Sequence, residues 1–479
     1  MAGLRDTRLG LKVAQAALST QAKLPLSRLR RIERGFETLT EDELIRVAVA
    51  LGVEPELLVE ASEAPTIGEG YATVVVEGTE VRTRTHEPPA GKARVLDLFC
   101  GCGGLSHGLE QTGDFVVTCG LDLLPDRIET FRRNHRYAAT VRGDLRTFPR
   151  DKLAELAMSP DIVVGGPPCQ GFSSIRPFRT LTEGDPRNTL VEEFVLIVAE
   201  LRPRFFVFEN VVGLFTHAGG KVFSELLRGF EDAGYATDWR IVNMALLGLP
   251  QVRERLVVVG SRDGEHFEWP MPTNQYDGRT MAGGRAKRLH FDPLFHGNLP
   301  PAVTVMDAIG DLPPVKSGGR VESYGTLKPA HPYALAMRGD AERLTLHEST
   351  KHSAKMMEII RLAGTSRAAL PEGMTTSGFS SCYSRLEADR PSVTITVNFV
   401  HPASNRCIHP VQDRALTPRE GARLQGFPDA FEFVGTRAQI VKQIGNAVPP
   451  VLGRAIAECL ASAIQLREAP SAHRIRVAS

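Results

Sequence analysis

From Arg94 onward, short apolar runs ending in acidic or glycine-rich turns alternate with helical patterns, and nothing else in the sequence restricts the fold so tightly. The runs are residues 95–99, 116–121, 162–164, 205–208 and 256–259. Strands separated by helices build a parallel sheet covered on both faces. This part of the chain is therefore expected to be an α/β, doubly wound, Rossmann-like domain. Such sheets bind their ligands at the carboxyl ends of the strands, so the turns after these runs are the places to look for chemistry.

The pattern is bounded on both sides. Residues 1–60 read as short amphipathic helices. Leu26, Leu29 and Ile32 keep helical spacing up to a stop at Gly35, and a second helix from Glu41 to Leu51 is entered from Thr40, with Glu43 completing a capping box. Residues 61–92 shift to Pro, Gly, Glu and Thr and read as a linker, in which 73–76 and 79–85 can pair across Glu77-Gly78. Residues 93–260 carry the alternation. From 261 to 384 it dissolves into Gly, Pro, His and Arg with little periodicity. A stretch that long is better read as an irregular small domain with a binding task than as a loop. A β-branched strand at 393–400 marks the return to the main domain over 385–468, and 469–479 is expected to be a flexible tail.

A chain of 479 residues supports two or three such domains, each with its own core. A net charge of +1 neither demands nor excludes nucleic acid, because the placement of basic residues decides that. Seven cysteines in a chain this long do not form a disulfide framework, and the odd number favours a reducing compartment. The N-terminus has no apolar stretch of signal-peptide length, and no run is long enough to span a bilayer. A cytoplasmic or nucleoid-associated protein with no membrane partner is expected.

The first loop, Asp97-Leu98-Phe99-Cys100-Gly101-Cys102-Gly103-Gly104, lies between a strand and a helix, and its glycines permit a tight turn and close approach of a ligand. Asp122 ends the next run, about 20 residues on, where an acidic side chain can bind a ribose diol. Asp144, in Gly143-Asp144-Leu145, is placed to meet an adenine amino group. Together they suggest an adenosine-containing cofactor, with a dinucleotide and S-adenosylmethionine equally compatible. Cys100 and Cys102 read as small buried thiols under the loop rather than metal ligands, since no second pair lies at zinc-site spacing; no metal is expected.

The run at 162–164 leads into Gly165-Gly166-Pro167-Pro168-Cys169-Gln170-Gly171-Phe172-Ser173. Two glycines and two prolines stiffen this turn, which presents one thiol, Cys169, as a reactive nucleophile would be presented. No histidine signature of a cysteine protease accompanies it. Glu209 follows the buried run Phe205-Phe206-Val207-Phe208, where a carboxyl group is expected to hold its proton and serve as a donor. Gln251, Arg253 and Arg255 alternate into a strand, so one face carries all three and can hold an anion or a base carbonyl.

These blocks, with Arg390-Pro391-Ser392-Val393-Thr394-Ile395 and Gln443-Ile444-Gly445-Asn446-Ala447-Val448-Pro449-Pro450, occur in an order that resembles the carbon-5 DNA cytosine methyltransferases. The resemblance runs from Val95 to about Ile464, apart from the weakly patterned middle domain. It implies transfer of a methyl group from S-adenosylmethionine to carbon-5 of cytosine in a specific double-stranded DNA sequence. Cys169 would attack carbon-6 of a flipped base, Glu209 would protonate ring nitrogen 3, and Arg255 would hold the carbonyl oxygen, with Gln251 and Arg253 beside them. It also implies that Phe99, Gly101, Gly103, Asp122, Asp144, Pro167 and Leu190 line the cofactor site, joined by Asn446 and Val448. Residues 261–384 become the target-recognition domain, with Arg279, Arg285, Lys287 and Arg288 able to contact phosphates or bases. A separately encoded restriction endonuclease, in a restriction-modification system, is the implied partner.

Residues 4–60 resemble, more loosely, the Cro/repressor-type helix-turn-helix, with Arg28, Arg30, Arg31 and Arg34 giving the second helix a phosphate-binding character. The turn at Lys23 and Pro25, the short first helix and the acidic Glu37, Glu41, Asp42 and Glu43 depart from that pattern. A plain helical docking module is the alternative. For the whole chain, the alternatives are a transfer-RNA cytosine methyltransferase and a DNA-binding regulator with a vestigial catalytic domain.

Overall fold

Nine strands pair into one sheet among the described residues: β1 (Thr73–Val76), β2 (Thr79–Arg82), β3 (Ala93–Leu98), β4 (Phe115–Asp122), β5 (Ala139–Arg142), β6 (Ile162–Gly165), β7 (Phe205–Val211), β8 (Ala236–Asn243) and β9 (Glu254–Ser261). This computed structural model describes residues 8, 13–33, 41–51, 73–76, 79–168, 189–278, 286–375 and 381–468. They fall into two compact units, Met1–Gly70 and Tyr71–Ser479.

In the larger unit the strand order is β1-β2-β5-β4-β3-β6-β7-β9-β8. The central five strands, from β5 to β7, run parallel, and each expected apolar run lies within a strand or ends just past one. The chain winds outward from β3 through β4 and β5 on one side and through β6 and β7 on the other. The crevice at this change of direction is where such a sheet opens to a ligand. Alternate residues serve opposite faces. Leu96, Phe206 and Phe208 join one core with helices Thr189–Leu201 and Lys221–Asp232, while Val95, Phe205 and Val207 join a second with helix Pro450–Glu468.

The antiparallel edges were less visible in the sequence. β8 pairs with β9 along its whole length, yet half of it is only partly buried, so it has no continuous apolar run. On the other edge, β1 and β2 form the expected hairpin, and β2 also pairs with β5 through Val81 and Val141. The stretch read as a linker therefore supplies two strands to the sheet.

The apolar cores divide the C-terminal half differently from the composition. Val305, Ile309, Tyr324 and Leu344 pack with Leu386, Phe399, Leu424 and Ile444 in one cluster, so residues from both sides of the expected boundary at 384 share a core. Helix Pro450–Glu468 carries the return to the sheet. The strand expected at 393–400 does not form. Ser392 makes a single bridge with Gln251, the Ile395 amide donates to the Gln251 side chain at 2.9 Å, and the chain then turns. A side chain has taken the amide that a neighbouring strand would need. One stretch, Arg437–Ile464, proves apolar and long enough by composition to cross a membrane, contrary to expectation. It is two helices, Arg437–Asn446 and Pro450–Glu468, and its Ile440, Ile444, Leu452, Ile456 and Leu460 are core residues.

The N-terminal unit contains helices Gln15–Gln21, Leu26–Glu33 and Glu41–Leu51, packed around Leu18, Leu24, Leu29, Ile32, Val47 and Leu51. Arg28 donates to both carboxylate oxygens of Glu43, at 2.7 and 2.9 Å, a bond that ties the second helix to the third. Arg34 and the side chains of Arg30 and Arg31 lie outside the described residues.

Candidate active site

The loop after β3 makes the floor of a cleft. Its lining includes Asp97, Phe99, Gly101, Cys102, Arg127, Gly166, Glu209, Gln443, Asn446 and Val448, around an empty volume of about 500 Å³ that includes the mouth. Phe99 is held at φ 59°, a conformation that costs a non-glycine residue about 1 kcal/mol or more and is retained mainly at functional sites. Gly101, at φ 55°, has no atom within 4 Å of a Cβ position except the Phe99 carbonyl oxygen at 4.0 Å. Packing does not explain that glycine; backbone conformation and an open approach do.

Several groups hold the loop in place. The Asp122 carboxylate accepts from the Gly101 amide at 3.0 Å and from the Leu124 amide at 2.9 Å. Burial pushes Asp122 up, against the opposing pull of Arg127 and these two amides. Asp97 is pushed up to about 7 by burial, although Ser106 donates to it at 2.5 Å. Burial raises the Cys102 thiol to about 12 and holds Cys100 well above the usual thiol range, as expected of packed thiols rather than reactive ones.

Glu209 stands at the end of β7 with its carboxylate 2.9 Å from the Arg255 guanidinium of the adjacent β9. Burial raises the Glu209 carboxyl, and Arg255 and Arg253 pull it back only in part. A Cβ at Gly166 would lie 2.9 Å from Glu209 Oε2, so glycine here lets the carboxyl group approach the loop after β6. Asn210 donates to the Pro167 carbonyl at 3.2 Å and anchors the base of that loop. The described part of the loop ends at Pro168; Cys169 lies outside the described residues.

Gln251 and Arg253 are engaged elsewhere. Gln251 donates to the Leu424 carbonyl at 3.0 Å and to the Gln425 side chain at 2.6 Å, and accepts from the Ile395 amide. Arg253 donates to the carbonyls of Ile395 (3.1 Å), Gly445 (3.4 Å) and Ala447 (3.1 Å). Both precede β9, and both are fully buried. Of the three residues expected on one face, Arg255 alone pairs with Glu209. The other two fasten the C-terminal segments to the end of the sheet.

The cofactor residues divide similarly. Phe99, Gly101, Asn446 and Val448 meet at the cleft, whereas Gly103, Asp122, Asp144, Pro167 and Leu190 are not among its lining residues. Gly103, at φ 88°, starts helix Gly104–Glu110, and Leu190 lies in the first turn of helix Thr189–Leu201. Arg146 holds the Asp144 carboxylate through hydrogen bonds of 3.0 and 2.5 Å. In the middle region Lys287 pairs with Asp238 at 3.0 Å, Arg288 is partly buried, and Arg279 and Arg285 lie outside the described residues. Arg127, Asp97 and Gln443 are among the lining residues that the sequence did not single out. Gln443 stood in a recognised block, one turn before Asn446, and donates to the Asp126 carboxylate at 2.9 Å.

Comparison with known proteins gives this geometry a family. The model for C-5 cytosine-specific DNA methylase matches residues 93–462. The chain is 34% identical over 371 residues to type II methyltransferase M1.HphI of Haemophilus parahaemolyticus, covering 76% of this chain and 86% of that one. It is 31% identical over 435 residues to type II methyltransferase M.AgeI of Thalassovita gelatinovora, covering 78% and 100%. Among solved structures, one described as a DNA modification methyltransferase encoded within a prophage (E. coli) superposes with a TM-score of 0.60 at 26% identity, covering 78% of this chain and all of that chain. Sheet, cleft and sequence therefore agree, and the chain belongs to the C-5 cytosine-specific DNA methylase family, as a DNA cytosine-5 methyltransferase.

Proposed function

We propose that the protein methylates carbon-5 of cytosine within a specific double-stranded DNA sequence, with Cys169 as covalent nucleophile and S-adenosylmethionine as methyl donor. The observation that carries this reading is the buried Glu209–Arg255 pair, beside the glycine that begins the Cys169 loop and on the same cleft as Phe99 and Gly101. Cytosine carbon-5 is a poor nucleophile. A thiolate adding to carbon-6, with the Glu209 proton delivered to ring nitrogen 3, turns the ring into an enamine that is reactive at carbon-5. Arg255 holds the base carbonyl oxygen and, through its ion pair, aims Glu209. When bound, S-adenosylmethionine supplies the electrophilic methyl group. Loss of the carbon-5 proton and of the thiol then restores the aromatic base. A base inside the duplex cannot reach such a cleft, so the cytosine is flipped out.

The residues present fit the donor. Phe99 offers an aromatic face, Gly101 leaves the backbone open, and Asn446 and Val448 close the cleft from the C-terminal side. Asp122 holds the loop through the Gly101 amide, and its carboxylate is the group we assign to the ribose diol. Gln251 and Arg253 position the C-terminal segments. Residues 261–384 read DNA sequence, and a separately encoded endonuclease is the partner that type II relatives suggest. The family's description names DNA and so favours it over transfer RNA as substrate.

Incubating the purified protein with S-adenosylmethionine and DNA, then mapping 5-methylcytosine, tests the reading; no methylated cytosine in any sequence context would reject it. Glu209→Gln is expected to lower kcat roughly 100-fold. Because burial raises Glu209, kcat of the unaltered enzyme falls as pH rises through that raised value, and the variant lacks this decline. An unchanged pH profile in Glu209→Gln removes Glu209 as proton donor.

For the N-terminal unit we propose a helix-turn-helix that binds DNA, supported by the three short helices among its described residues and their shared apolar core. Deleting residues 1–60 is expected to spare methylation of short duplexes while weakening binding to DNA upstream of the enzyme's own gene. Equal binding by full-length and truncated proteins contradicts it.

A further inference from the structure

Helix Pro125–Asn134 follows β4 and places Arg127 in its first turn. The side chain lines the cleft together with Phe99, Gly101, Gln443 and Asn446. It is 13% exposed. A guanidinium has five donors and keeps its charge in proteins, and a buried one is normally paired. Among the described residues the Arg127 side chain makes no hydrogen bond; it has an ion pair with Asp126 Oδ1 at 3.5 Å and a longer-range attraction to the Asp122 carboxylate. The other oxygen of Asp126 is already taken by Gln443 at 2.9 Å. The cleft thus holds a cation whose directed donors lack acceptors.

We propose that Arg127 binds the α-carboxylate at the amino-acid end of the methyl donor. This rests on the reading of the cleft as the S-adenosylmethionine site and adds the recognition of one chemical group. The carboxylate is the only anion on that molecule: the adenosine is neutral, the sulfonium and the ammonium are cationic. A planar fork of donors matches a carboxylate in geometry as well as in charge. The ribose end is assigned separately to Asp122, whose carboxylate accepts from the Gly101 amide of the same loop. Arg127 therefore orients the donor as well as retaining it, and it selects against adenosine compounds that lack the acid group.

The test uses the full chain without DNA and two ligands, S-adenosylhomocysteine and its decarboxylated analogue, with affinities measured by calorimetry. The unaltered protein is expected to prefer the carboxylate-bearing ligand roughly 10- to 100-fold, the range of a charge-assisted hydrogen bond. Arg127→Met should lose that preference by weakening S-adenosylhomocysteine alone, and Arg127→Lys should keep part of it. Unchanged affinity for the decarboxylated analogue shows that the variant is folded. A preference that persists in Arg127→Met, or equal weakening of both ligands, overturns the proposal. Failure of the unaltered protein to bind either ligand overturns the donor assignment itself, and the role of Arg127 with it.

Discussion

Cys169→Ser is expected to lower methyl transfer by at least about three orders of magnitude while sequence-specific DNA binding survives. Addition to cytosine carbon-6 needs an anionic nucleophile, and a serine hydroxyl is almost wholly protonated at neutral pH where a thiol is partly ionised. The described base of the loop, Gly166 to Pro168, is held by the hydrogen bond from Asn210 to the Pro167 carbonyl, which the substitution leaves in place. Binding and chemistry should therefore separate. Turnover within tenfold of the unaltered enzyme rules out covalent catalysis through this residue. DNA containing 5-fluorocytosine gives an independent reading. Its fluorine cannot leave as the carbon-5 proton does, so a covalent complex should accumulate with the unaltered protein and be absent with Cys169→Ser.

The second large effect concerns stability. Arg423 is fully buried and donates to both oxygens of Asp429, at 3.0 and 2.7 Å, to both oxygens of Asp311, one of them at 3.2 Å, and to the Ala308 carbonyl at 3.1 Å. It links helix Val305–Ile309 and the following turn to helix Pro418–Leu424, the joint between the middle region and the C-terminal segments. Arg423→Met keeps much of the volume, strips Asp311 of its buried cation and leaves Asp429 with only the longer contact to Arg419 at 3.4 Å. Breaking such a pair from one side costs about 3–5 kcal/mol. Burial alone would raise Asp429; the bonds from Arg423 and the charge of Arg419 more than offset it, and the group is held below the usual carboxylate range. A depressed carboxyl group contributes stability above its unfolded value, and that stability is lost as pH falls. With Arg423 removed most of that contribution is lost, so the deficit of the variant should grow as pH rises from about 4 towards neutrality. Denaturant titrations at pH 5 and pH 8 measure this. A loss under about 1 kcal/mol at both shows that the node is not structurally important.

The contrast between Arg255 and Arg253 shows how far a sequence reaches. Alternation along residues 251–255 put Gln251, Arg253 and Arg255 on one face, and all three looked equally able to hold a base. Their partners separated them. Gln251 bonds to Gln425, 174 positions away, and Arg253 to Ala447, 194 positions away. No local pattern records contacts across such distances. Arg127 was missed for the same reason: on its own helix it is an ordinary first-turn arginine, and only the approach of Gln443 and Asn446 makes it part of a cleft. The strand expected at 393–400 illustrates the converse. β-branched residues favour extended backbone, but a strand exists only where another backbone offers its hydrogen bonds, and here the Gln251 side chain took the amide instead.

What the sequence determined by itself was whatever depends on neighbours along the chain: the parallel order of the apolar runs, the glycine-rich loop at 97–104, the stiff turn before Cys169, and Glu209 at the end of a buried strand. Those features follow from backbone periodicity and from the restrictions of glycine and proline, which act within a few residues. The tertiary structure alone decided which polar side chains face the cleft and which are consumed in holding it together. That division depends on where each buried donor finds its acceptor, and the acceptors come from segments hundreds of residues apart in the chain.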